Sequence, residues 1–243
     1  MTKFIVFLLA CIATCSAFKL PSYINKCKFN DDNMGQCIMD NIPVIKPHLK
    51  DGIKELAIPP LAPFHVQEIL IDASQNLKIK MTDLDVLHLD EFEIKNIKLN
   101  AETFDGEMEF HFDQIQILGT YDIDGQILVL PIKGHGPANI TLYQFNVLFN
   151  YRFQPIERKG KMFVNISDQR YTFKSGKITL HLDNLFNGDK TLGDQVNNFL
   201  NENWQDVEGL LRPAVTETVT TLVGAIFDKI AKSVPLDELF LLD

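Results

Sequence analysis

Residues 184–235 read NLFNGDKTLGDQVNNFLNENWQDVEGLLRPAVTETVTTLVGAIFDKIAKSVP, and their periodicity decides the fold. Apolar residues recur three or four apart at Val196, Leu200, Trp204, Val207, Leu211, Val215, Val219, Leu222, Ile226 and Ile230, which is the helical period. A second row, Phe199, Leu210, Ala214, Val223 and Phe227, widens the buried face. The spacing predicts helix from about Asp189 to Lys232. Asp189 or Thr191 can accept a bond from the free amides of the first turn, and Pro235 stops the helix beyond its end. Pro213 donates no amide and crowds the carbonyl of Gly209, so the pattern fits one bent helix or two helices meeting near Gly209. About 40 residues of helix make a rod of roughly 60 Å, against a diameter of about 45 Å for a compact domain of this chain length. Between Val196 and Ile230 the first row drifts by nearly half a turn, so whatever covers it must follow it around the rod.

Ahead of this stretch the period is two. Leu77, Ile79 and Met81 alternate with polar residues, as do Met108, Phe110 and Phe112, and Ile178, Leu180 and Leu182. The clearest strand carries Phe145, Val147, Phe149, Tyr151 and Phe153 on one face and Asn146, Asn150 and Arg152 on the other. Such strands build an antiparallel sheet with a wet outer face. Asp105-Gly106, Asp124-Gly125, Lys159-Gly160 and Ser175-Gly176 read as hairpin turns between successive strands over 66–182. From Gln36 to Leu56 the apolar spacing is helical, but Pro43 and Pro47 interrupt it and predict a kinked or divided helix. Ile58-Pro59-Pro60-Leu61-Ala62-Pro63 is an extended connector. The fold class is therefore α+β: a short N-terminal helix, then an antiparallel sheet that buries its apolar face on the C-terminal helix, either highly curved and wrapped around it, as the drift of the stripe favours, or flat beneath a kinked helix.

Lys3, the apolar run Phe4 to Ile12 and the small residues Cys15-Ser16-Ala17 have the layout of a secretory signal peptide. Residues 1–17 are read as that signal, with cleavage after Ala17, and 18–243 as one domain, secreted and extracellular. No later uncharged segment is long enough to span a bilayer, so stable membrane insertion is not expected. Of four cysteines, Cys11 and Cys15 fall in the signal. Cys27 and Cys37 remain, and in an oxidising compartment they pair. A net charge of −9 without a basic run argues against nucleic acid and against anionic membrane surfaces.

These elements resemble a known family, the insect takeout and juvenile-hormone-binding proteins, over nearly the whole mature chain. The resemblance is carried by the early Cys27 and Cys37 pair and by Gly52-Ile53-Lys54-Glu55-Leu56-Ala57-Ile58-Pro59-Pro60-Leu61. Further along, Leu118-Gly119-Thr120-Tyr121 followed by ILVLPIKGHG, and NLFNGDKTLG leading into FLNENW, continue it. It implies a long helix wrapped by a curved sheet, enclosing an apolar tunnel that holds one elongated apolar ligand. Two departures stand out. Ala62 replaces the aspartate that takeout-like proteins usually carry before the proline, and no cysteines remain for the second disulfide typical of blood juvenile-hormone carriers. The chain is accordingly placed nearer the takeout branch.

Catalytic signatures are missing. There is no GxSxG elbow, no HExxH pair and no free cysteine for papain-like chemistry, so no catalytic residue, metal or cofactor is assigned. His111 and His181 occupy polar positions of alternating strands and read as solvated imidazoles. Asp122-Ile123-Asp124-Gly125 reads as a hairpin turn rather than a calcium loop, and Gly134 to Pro137 as a glycine-rich turn rather than a phosphate loop. Eighteen phenylalanines against one tryptophan are the informative composition. Alone, aromatic strand faces read as packed core; with the resemblance they read as cavity wall. The candidate walls are Phe110, Phe112, Phe145, Phe149 and Phe153 from the sheet with Leu222, Ile226 and Phe227 from the helix. The partner is then a small hydrophobic molecule, terpenoid or fatty-acid-like. The rivals are a lipid-acting enzyme and a protein-interaction module with a solid core. Asn139-Ile140-Thr141 and Asn165-Ile166-Ser167 match the glycan acceptor pattern.

Overall fold

The computed structural model describes residues 20–29, 31–74, 76–100 and 102–242. The expected signal segment 1–17 and its cleavage point lie outside them. In chain order the strands are β1 (Cys27–Lys28), β2 (Phe64–Ser74), β3 (Leu77–Leu87), β4 (Glu93–Asn100), β5 (Asp105–Ile127), β6 (Leu130–Arg158), β7 (Lys161–Lys174), β8 (Lys177–Leu182) and β9 (Phe240–Leu241). The helices are α1 (Met34–Leu49), α2 (Lys190–Glu202), α3 (Trp204–Ser233) and α4 (Leu236–Leu239).

The fold is α+β, with one large antiparallel sheet in the order β2-β3-β5-β6-β7. β4 pairs with the first part of β5 and β8 with the first part of β6, so the sheet has a different neighbour set at each end. It does not close: β2 and β7 are not joined, and α3 packs against both of these edge strands. The long C-terminal helix read from the sequence runs along the sheet, its first part against β8.

That helix is two helices. The break falls at Asn203 (φ −110°, ψ 27°), where the backbone amide and the side-chain Nδ2 both donate to Phe199 O, at 3.0 and 2.8 Å. The sequence pointed instead to Gly209 and Pro213, yet α3 runs through both. Both lie on the outward stripe with Gln205, Glu217, Thr221, Ala225 and Lys229, where water can hydrate the carbonyl that the proline leaves unpaired. The expected cap is present: Asp189 Oδ1 accepts from Leu192 N at 3.0 Å. α1 is likewise undivided, with Pro43 and Pro47 one turn apart and both exposed.

Two of the four expected turns stand where they were read, Lys159-Gly160 between β7 and its partner β6, and Ser175-Gly176 before β8. Asp105-Gly106 opens β5 instead, and Asp124-Gly125 lies within it; the β5–β6 turn is Leu128-Val129. Gly134 to Pro137 is also strand rather than turn. Its glycines serve close packing, since a Cβ at Gly134 would meet Tyr121 Oη at 2.6 Å and one at Gly136 would meet Asp183 O at 2.6 Å.

β5 and β6 switch faces half-way along. The core residues of β5 are Met108 and Phe110, then Ile117, Tyr121 and Ile123; those of β6 are Ile132, Ala138 and Ile140, then Val147, Phe149 and Tyr151. Odd and even positions exchange roles between them. The exchange falls at Asp113 and Gln144, the latter at φ 48°, which are linked by a Gln144 Nε2 to Asp113 Oδ1 bond of 3.1 Å. Each half of the sheet therefore builds its own core. An aliphatic one surrounds α2 and the start of α3, and an aromatic one faces the second half of α3.

At the far end the two termini clasp. β1 and β9 pair in parallel, Lys26 Nζ donates to Asp237 O at 2.6 Å, and Cys27 is disulfide-bonded to Cys37 of α1 as expected. Buried Asn41 bonds Asn25 N, Asn25 O and Cys37 O, which fixes α1 to the segment before it.

Candidate ligand-binding interior

The site is built from period-two strands facing an amphipathic helix. On the inner face of the second half of the sheet the rings form a continuous series. Phe92 meets Phe112 (6.3 Å between centroids), Phe112 meets Phe145 (6.2 Å), and Phe145 stacks on Phe173 (5.7 Å). Deeper in, Phe149 stacks on Tyr171 (4.5 Å) and Tyr151 (4.6 Å) and touches Phe227 of α3 (4.9 Å). Offset or edge contacts of this kind add about 0.5–1.5 kcal/mol each beyond area burial.

The structure separates the eight candidate wall residues into two groups. Phe149 and Phe153, 1% and 6% exposed, are core, with Phe110 and Phe227 packed against the same cluster. Phe112, Phe145, Leu222 and Ile226 are half-buried and belong to neither packed cluster. On α3, Leu222 and Ile226 alternate with Val223 and Phe227, which pack on the aromatic core. On α3 as a whole, Val207 is the one large apolar side chain that is fully buried; Leu211 and Val215 pack on the aliphatic core and, like Val219, Leu222, Ile226 and Ile230, stay partly accessible.

Sequence reading did not single out the buried polar group of the aromatic core, Tyr151. Its ring lies across Gly106, where an added Cβ would come within 2.3 Å of Cζ, so the glycine read as a turn residue makes room for a ring. Tyr151 is 8% exposed, and its hydroxyl has no hydrogen-bond partner among the described residues. Burial alone raises its pKa, so it stays a neutral donor across the physiological range. Tyr171, raised by burial and then by Asp228, donates instead to Gln169 Oε1 at 3.0 Å. Tyr171 and Phe173 were also legible as an alternating pair, although their strand was not singled out.

On the outer face of the sheet, His181 of β8 is exposed beside Asp183 (3.1 Å), as expected of a solvated imidazole. His111 differs, being mostly covered, with Nδ1 2.8 Å from Asn146 Oδ1. It belongs to the outer-face network at the switch point of β5 and β6.

The family described as haemolymph juvenile hormone binding protein (JHBP) matches residues 5–241. The chain belongs to this family. It is 25% identical over 231 residues to the circadian clock-controlled protein daywake of Drosophila melanogaster, covering 90% of this chain and 88% of the relative. The daywake protein of Drosophila yakuba is 23% identical over the same length. Among solved structures, Takeout 1 of Epiphyas postvittana superposes with a TM-score of 0.78 at 23% identity, covering 89% of this chain and 99% of that one, a likeness of fold. The resemblance read from the sequence is thus confirmed for family and architecture.

Proposed function

We propose that this JHBP-family chain is a secreted carrier that holds one elongated apolar molecule, a terpenoid or fatty-acid-like compound, between the aromatic half of the sheet and α3. The supporting observation is the unsealed inner stripe of α3. A central helix gains stability by removing its apolar side chains from water, yet every large one after Val207 keeps some access. A bound chain would cover them, contributing about 2.5 kcal/mol per 100 Å² of apolar surface before the cost of association. Phe112, Phe145, Leu222 and Ile226 are the walls of this site, Phe149, Phe153, Phe110 and Phe227 support it from behind, and the Tyr151 hydroxyl supplies a donor for one polar atom of the ligand.

Secretion accounts for the Cys27–Cys37 bridge and agrees with residues 1–17 as a signal. Glycans belong on Asn139, exposed on the outer face, and on Asn165 of β7, half-buried. Binding uses neither metal nor cofactor, and no catalytic role is assigned. Native mass spectrometry of gently purified protein, followed by solvent extraction, tests the carrier reading: the expected result is an added mass of one apolar compound that leaves with solvent. Protein that is empty as isolated and stays empty after incubation with terpenoids and fatty acids contradicts it.

A further inference from the structure

The β5–β6 hairpin turns through Leu128-Val129, between Ile127 and Leu130. Two-residue hairpin turns favour Asn, Asp and Gly, because left-handed backbone is costly elsewhere. Here Leu128 holds φ 55° and Val129 is 79% exposed, more than any other large apolar residue among those described. The turn is stapled by Gln126 Nε2 donating to Leu128 O at 3.0 Å, so the tip is held in place. Neither residue is chosen for turn geometry; Leu128 packs back onto the aliphatic core, whereas the outward Val129 is not chosen for solubility. An unfavourable backbone paired with an exposed aliphatic tip calls for a functional reason.

Directly behind the tip is a pocket of about 370 Å³ lined by Leu130, Phe186, Leu192, Val196 and Phe199, with Gln195 as its polar member. Its volume falls within the range of small-molecule sites. Leu192, 44% exposed, stands at its lip, and Phe186, Leu130 and Phe199 pack onto the aliphatic core. The nearby lysines carry no surplus charge, since Lys133 is paired with Asp124 (2.8 Å) and Lys190 with Asp194 (2.8 Å). This end carries α2, which precedes α3, and the β1–β9 pair follows α3 at the other end of its roughly 45 Å length.

We propose that this end is the loading mouth of the carrier: the Val129 tip seats in the surface of a neutral lipid layer, and the pocket behind it receives one aliphatic chain from that layer. The proposal rests on the carrier reading above. A lipid surface fits better than a protein, because a single exposed valine offers far less than the roughly 800 Å² per partner of a stable protein interface. The neutralised rim matches zwitterionic rather than anionic lipid, in keeping with the acidic chain. Contact is peripheral and reversible, as befits so small an inserted area.

The test follows uptake of a fluorescent apolar probe, N-phenyl-1-naphthylamine, from phosphatidylcholine vesicles and, separately, from dilute aqueous solution. For the wild type the rate of uptake from vesicles should rise in proportion to vesicle concentration, and Val129→Asp should slow it about ten-fold, the effect of losing one buried valine. Equilibrium affinity in water should not change, and Leu70→Asp, an exposed leucine on β2, should behave as wild type. An unchanged vesicle rate in Val129→Asp overturns the proposal and leaves the carrier reading standing, and so does a dimer in sedimentation that Val129→Asp dissociates. If no probe is taken up from either source, the carrier reading fails, and flotation of ligand-free protein with vesicles decides: flotation lost in Val129→Asp sustains lipid docking, and no flotation of the wild type overturns it.

Discussion

The aliphatic end around α2 and the aromatic end around the second half of α3 share one sheet and one helical axis, yet they are finished differently. In the aliphatic end polar groups are paired. The free edge of β8 meets two asparagines of α2: Asn197 bonds Leu182 N and O (2.9 and 3.0 Å), and Asn201 bonds Leu180 N and O (2.9 and 2.7 Å). These side-chain amides complete the ladder as another strand would. Tyr121, 1% exposed, donates to Asp183 O at 2.6 Å. In the aromatic end Tyr151 has no such partner, and the helix facing it is not sealed. A core whose polar groups are met and one that leaves a hydroxyl unmet lie side by side, and on the proposed reading the ligand is held in the second.

The largest effect that would break this contrast is on side-chain truncation. Leu200→Ala, in the closed core at 1% exposure, should cost about 2–5 kcal/mol in urea denaturation and leave probe affinity unchanged. Leu222→Ala, on the open stripe, should cost about 1 kcal/mol and weaken probe binding. Equal costs would mean that the interior is packed throughout.

The tyrosines sharpen the comparison. Tyr121→Phe leaves a carbonyl without its donor and should cost about 1–3 kcal/mol, whereas Tyr151→Phe removes an unpaired hydroxyl and should be neutral in the same denaturation assay. Tyr151→Phe should instead change the ranking of ligands, lowering affinity for those with an oxygen acceptor more than for pure hydrocarbons.

A smaller effect is on pH dependence. Burial, then the charges of Asp183 and Asp122, push the Tyr121 pKa from 10.0 up to about 12. The folded state therefore favours the protonated phenol: this contribution is complete below pH 10 and is lost as pH rises toward 12. Thermal melts of the wild type should fall more steeply across that window than those of Tyr121→Phe. Parallel slopes would remove Tyr121 from the alkaline transition.

Much of this architecture was legible in the chain, and the limits have physical causes. Helical and two-residue periods located α2, α3 and the sheet, because burial on one face leaves that imprint regardless of partners. The exchange of faces at Asp113 and Gln144 left no such imprint, since both strands change phase together and local alternation continues on either side. Glycines misled for the same reason that they are informative. Gly106, Gly134 and Gly136 accept a neighbouring ring or backbone from another strand, a contact of long sequence separation that no local pattern reports. The break at Asn203 depends on a side chain bonding Phe199 O, whereas Pro213 is harmless because its side of the helix is wet. In the candidate site the inward phenylalanines could be named, but not which of them are packed in the core and which stay half-buried outside it. Tyr151 lacked a signal because an unpaired hydroxyl is a property of its surroundings.

The measurement that tests the account most directly is a titration of the folded protein with N-phenyl-1-naphthylamine in wild type, Ile226→Asp and Arg152→Glu. Ile226 lies on the open inner stripe and Arg152 on the outer face beside Asp105, at 3.2 Å. The account predicts saturable binding of about one probe per chain, lost by ten-fold or more in Ile226→Asp, where a carboxylate enters an apolar site, and unchanged in Arg152→Glu. Wild-type affinity in a folded Ile226→Asp, or the absence of any saturable binding in the wild type, would contradict it.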